Sequence, residues 1–72
     1  MNTREIKNKI ASAGFKIDAY ARAYIDALDL AEAEGGEHGV KVQILYIFSN
    51  LKARGDEQKK VKAELLKYAK SR

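Results

Sequence analysis

The chain has 72 residues, no cysteine, no proline, a single histidine and a formal net charge of +4, which excludes a disulfide framework and leaves a zinc site of the usual kind without ligands. A chain this short buries only about 60% of the surface it exposes when unfolded, so with those two staples absent, association with a partner is the remaining source of added stability. The charge is divided: residues 1–37 hold five Lys/Arg and seven Asp/Glu, residues 38–72 nine and three, a polarity that can steer anionic partners toward the second half.

The bias toward Ala, Lys, Glu and Leu favours helix, because these side chains lose little freedom in it. A first helix is expected from about Thr3 to Ala13, capped by Asn2 or Thr3 and ended by Gly14. Ile6, Ile10 and Ala13 form its apolar stripe. The charged start Met1-Asn2-Thr3-Arg4-Glu5 lacks the apolar core of an export signal. The longest apolar stretch, Ile44 to Phe48, is far short of the roughly 20 residues that cross a bilayer. A cytoplasmic, soluble protein with no membrane partner is the expectation.

The second helix is expected from Asp18, as N-cap, to Glu34, with Gly35-Gly36 stopping it. On one continuous wheel, Ile17, Tyr20, Ala21, Tyr24, Leu28, Leu30 and Ala31 fall on the core half, and Asp18, Arg22, Asp26, Asp29 and Glu32 on the solvated side. Ile25 lies inside that polar stripe and is anomalous there. The third segment, Val40 to Arg54, alternates like a strand at its start, but no other segment could pair with it, and a lone strand leaves its backbone groups unsatisfied. Read as a helix, it puts Val40, Ile44, Ile47, Phe48 and Leu51 on a core face and Val42, Leu45 and Tyr46 on a second apolar side. Gly55-Asp56 then reads as a stop followed by a cap. A fourth helix over Glu57 to Lys70 buries Val61, Leu65, Tyr68 and Ala69 and turns Lys59, Lys60, Lys67 and Lys70 outward.

The expected fold is therefore all-α: one domain over residues 1–72, a compact bundle of three longer helices and a short N-terminal one. No catalytic constellation is visible. His38 sits in a glycine-flanked loop without a nucleophile, and Ser12, Ser49 and Ser71 lack the glycine context of a nucleophile elbow. The acids Asp26, Asp29, Glu32, Glu34 and Glu37 would need a second acidic pair on a facing helix to hold a divalent metal, and none is found. The tyrosines fall mostly on core stripes rather than forming a platform for bases, Tyr46 and Phe15 being freer. No cofactor, metal or small-molecule substrate is expected.

A non-enzymatic interaction module is the reading that follows, an adaptor, regulator or inhibitor docking on a protein partner or forming a homodimer. Ile25, Val42, Leu45 and Tyr46 are its expected interface residues, because four such side chains exposed together make a patch that monomers rarely leave uncovered. The alternative is a small basic DNA- or RNA-binding regulator that contacts phosphates through Lys59, Lys60, Lys67 and Lys70.

Overall fold

The computed structural model describes residues 1–71. Four helices follow one another, α1 (Thr3–Ser12), α2 (Ala19–Asp26), α3 (Leu28–Asn50) and α4 (Asp56–Lys70), and no strand occurs among the described residues. The all-α bundle read from the sequence is the fold observed. Helix α3 is the hub and touches each of the other three. Among the described residues, no helix is long and apolar enough to cross a membrane.

Helices α1 and α2 start where a side chain satisfies one of the first amides. The Asn2 side chain accepts from the Glu5 amide and the Asp18 side chain from the Ala21 amide, both at 2.8 Å, so one orphan donor at each of these two termini is paired. Gly14, at φ +73°, follows the end of α1, in the left-handed conformation that a side chain would resist. The last helix begins differently from expectation. Gly55 is its N-cap in extended backbone, with Asp56 already helical. The preceding helix ends at Asn50 rather than Arg54, and Leu51, in extended conformation, is buried. Burying Leu51 stabilises the structure more than another helical turn would, since a leucine removed from water contributes about 1.5–3 kcal/mol.

The expected second helix is also two pieces. It is interrupted at Ala27 (φ −76°, ψ −6°), and its inner face runs through Ala21, Ile25 and Leu28, spaced as one helical stripe, rather than through the side that carries Tyr20 and Leu30. Within α2, Ala21 and Ile25 are the buried residues. Ile25 is therefore a core residue, 5% exposed, and not part of an exposed patch. Tyr20 and Leu30, placed on the core half by the continuous wheel, are 73% and 60% exposed. Phe15, expected to be freer, is buried.

Helix α3 bends sharply at Gly36, whose φ of +59° and ψ of −145° are not helical. The Gly35-Gly36 stop is thus real, but the chain resumes a helix at once, giving α3 a first limb before the elbow and a second over residues 37–50. The core consists of Ile6 and Ile10 from α1, Phe15 from the α1–α2 connection, Ala21 and Ile25 from α2, Leu28, Val40, Ile44 and Ile47 from α3, Leu51, and Val61 and Leu65 from α4.

Two lysines fasten α3 to α4 reciprocally. Lys41 of α3 donates to the Ser71 carbonyl at the end of α4 (2.9 Å) and lies 5.2 Å from the centre of the Tyr68 ring. Lys62 of α4 donates to the Leu51 carbonyl at the end of α3 and lies 4.3 Å from the centre of the Phe48 ring. Each ammonium group meets the negative end of the opposite helix and an aromatic face at once. Burial pushes the Tyr68 hydroxyl pKa up, with Glu37 adding to the shift and Lys41 opposing it.

Candidate interaction surface

The second limb of α3 is apolar on two opposite sides. Val40, Ile44 and Ile47 face the core, and on the far side Val42, Leu45 and Tyr46 are 40%, 40% and 53% exposed. A helix with this pattern has one face without a partner inside its own protomer. The three residues stand on firm backbone, in a helix whose Ser49 hydroxyl and Asn50 amide donate back to the Leu45 and Tyr46 carbonyls at 3.0 and 2.9 Å.

Tyr46 is further held by α2. Its ring stacks on Tyr24, centroids 5.7 Å apart and planes 17° from parallel. Beside that pair the Gln43 side chain donates to the Tyr24 carbonyl (2.8 Å). The tyrosine is thus displayed flat rather than free to swing, and such pre-set aromatic rings are common anchors at interfaces. On its other flank the face borders an open groove of about 580 Å³ lined by Glu37, His38, Lys41, Val42, Leu45 and Ala69. Lys41 is already engaged there, since it also pairs with Glu37 at 3.1 Å.

Charged side chains lie elsewhere on the surface. Asp26 and Glu34 are exposed and make no ion pair among the described residues, whereas Asp29 pairs with Lys7 (2.9 Å) and Glu32 accepts from the Thr3 hydroxyl (3.0 Å). Leu30 is exposed. Lys16, Lys52 and Arg54 converge from two loops on a cleft of about 240 Å³ also lined by Ile17, Asp18 and Asn50. None of the three cations pairs with a carboxylate among the described residues.

Of the four expected interface residues, the structure brings Val42, Leu45 and Tyr46 to one surface and withdraws Ile25 from it. Tyr20, Leu30 and the three-cation cleft were not picked out from the sequence. The first two were hidden because the apolar side that they share with Tyr24 and Ala31 was taken as the inner one, and the cleft joins residues some 35 positions apart that carry no shared local pattern.

The lysines of the alternative reading lie on one helix. Lys59, Lys60, Lys67 and Lys70 are all exposed along the outer side of α4 and make no ion pair among the described residues. Glu64, on the same helix, turns aside to pair with Lys9 of α1 at 2.9 Å. The hydrogen bond from Lys9, reinforced by its charge, lowers the Glu64 pKa, and the same contact raises that of Lys9. The acids of the first half do not assemble: among the described residues, no three His, Cys, Asp or Glu side chains are placed to share a metal ion. The Ser49 and Ser71 hydroxyls donate to the Leu45 and Tyr68 carbonyls.

No protein-family model, curated protein or solved structure matches this chain.

Proposed function

We propose that this protein is a non-enzymatic interaction module that works by docking the outer face of α3 onto another protein surface, with Val42, Leu45 and Tyr46 as the contact residues. The observation that carries this reading is the half-exposure of these three side chains on a rigid helical limb whose opposite side is already the core. An apolar face of this kind, bordered by charge, is the ordinary form of a helix-docking surface. The chemistry elsewhere supports the same reading, since catalysis requires a base, a reacting group and an orienting partner together. The His38 neighbourhood offers Glu37, Lys41 and apolar side chains.

Photo-crosslinking from positions 42 and 45 in cells of the native host tests it. A discrete protein adduct at both positions, and none from the exposed Ala63 of α4, is the expected result. Equal labelling from all three would overturn it.

One observation favours a second reading. Four lysines along α4, unpaired among the described residues, form a stripe that can displace counterions from a phosphate backbone. Nucleic-acid binding through them would weaken steeply with added salt, and a mobility shift with no complex even at low salt would remove it.

A further inference from the structure

We propose that the cleft of Lys16, Lys52 and Arg54 is an anion site that takes a doubly charged phosphate group, either free inorganic phosphate or the phosphate of a small monoester. The site does not involve Val42, Leu45 or Tyr46, and the docking reading is independent of it.

The three cations stand on fixed backbone. Each of the two loops is pinned by a buried apolar residue immediately before its lysine: Phe15, 8% exposed, precedes Lys16, and Leu51, 2% exposed, precedes Lys52. Gln58 of α4 ties the loops to each other. Its side-chain nitrogen donates to the Ala13 carbonyl (3.1 Å), and its side-chain oxygen accepts from the Arg54 amide (2.8 Å). The Leu51 carbonyl is held as well, by the Lys62 ammonium. Backbone ordered before the ligand arrives removes that part of the cost of binding.

Charge selects the ligand. Lys16, Lys52 and Arg54 are exposed and pair with no carboxylate among the described residues. Asp18 is the one acid in the lining, and its side chain accepts from the Ala21 amide at the start of α2. Asp56 and Glu57, which begin α4, do not line the cleft. Three cations and one carboxylate leave the lining at +2. A phosphate monoester carries about −1.5 to −2 at pH 7 and neutralises it. A carboxylate or a phosphodiester, with one negative charge, does not. Arg54 supplies a planar fork for two phosphate oxygens, and the lysines act as point charges. The Asn50 side-chain amide uses one N–H for the Tyr46 carbonyl (2.9 Å) and has a second for the ligand.

Size limits how much of the ligand is enclosed. At about 240 Å³, the cleft falls below the roughly 300–1,000 Å³ of pockets that surround a drug-sized molecule. It has room for the charged group and leaves the remainder of an ester in solvent.

Backbone amide NMR shifts of the full chain, followed at neutral pH and constant ionic strength, test the proposal with inorganic phosphate, methyl phosphate, dimethyl phosphate and acetate as probes. Inorganic phosphate, methyl phosphate or both should give saturable shifts concentrated at residues 15–18 and 50–54. Saturation by inorganic phosphate alone identifies free phosphate as the ligand, and tighter binding of methyl phosphate identifies an ester. Lys52→Gln and Arg54→Gln should each raise the dissociation constant about tenfold, with Arg54→Lys between Arg54→Gln and the wild type because the charge remains and the fork is lost. Arg4→Gln, which removes one charge from the exposed start of α1, should leave the constant unchanged. Circular dichroism confirms that each variant is helical. No saturable shift with either phosphate probe, or shifts spread equally over Lys59, Lys60, Lys67 and Lys70, would overturn the site. So would binding indifferent to both cleft variants, or weakened as much by Arg4→Gln as by Arg54→Gln. Dimethyl phosphate or acetate bound as tightly as the doubly charged probes would overturn the choice of ligand.

Discussion

Gly39 lies so close to Ala31 that a Cβ built on it would stand 2.3 Å from the Ala31 carbonyl oxygen. This contact joins the two limbs of α3 across the elbow. Gly39→Ala must push the limbs apart, and overpacking of this kind costs about 1–3 kcal/mol, more than the roughly 0.5–1 kcal/mol that alanine returns in helix propensity. Gly35 faces open space, so Gly35→Ala should be neutral or slightly stabilising. Urea denaturation of the two variants side by side measures the difference.

The register of α2 makes a second prediction. Ile25 is buried and Leu30 is 60% exposed, so Ile25→Ala should cost about 2–5 kcal/mol by removing core contacts. Leu30→Ala should stay within about 0.5 kcal/mol of the wild type. A segment turned to bury the Tyr20–Leu30 side instead would reverse the two values, and thermal unfolding distinguishes the cases.

Those two residues also show how much was legible in advance. The caps at Asn2 and Asp18, the stop at Gly14 and the break at Gly35-Gly36 are local chemistry, and local chemistry is written in the residues that perform it. The turn at Ala27 has no glycine or proline to announce it. The buried residues Ala21, Ile25 and Leu28 stand at i, i+4 and i+7, one ordinary helical stripe, but Tyr20, Tyr24, Leu30 and Ala31 offer a competing apolar side of the same wheel, and only tertiary packing decides which side turns inward. The double-sided limb of α3 was legible because its two apolar sides follow one uninterrupted helical period. The cleft of Lys16, Lys52 and Arg54 was not, because only folding brings its two loops together.

The reciprocal lysines predict a pair of similar losses. Lys41→Met and Lys62→Met keep the aliphatic stem but remove the charge from a helix end and an aromatic face, and each should destabilise by about 0.5–2 kcal/mol. Because the sites lie at opposite ends of the α3–α4 contact, the double variant should show the sum. Chemical denaturation of all three variants provides the check.

The Lys9–Glu64 pair sets an acid and an alkaline limit. Glu64 has its pKa lowered by the hydrogen bond and charge of Lys9, with Lys60 adding to the shift. Its contribution to stability is therefore full above the ordinary glutamate value of about 4.3 and is lost as pH falls through the lowered folded value. Lys9 has its pKa raised by the same contact, with Glu5 and Glu57 assisting. Its contribution is full below about 10.4 and is lost as pH rises through the raised folded value. Glu64→Gln should flatten the acid side of the stability profile relative to the wild type, as read from unfolding midpoints across pH.

A different liability follows from the elbow. A single peptide unit at Gly36 decides whether 23 residues fold back or run straight, and unbent they would extend about 34 Å, as long as the whole molecule at 33 Å. Straightening would carry residues 1–35 away from the half that completes their core. That core could then be rebuilt only by exchanging segments with another chain, so Gly36→Ala is the variant in which intertwined oligomers should appear on size-exclusion chromatography.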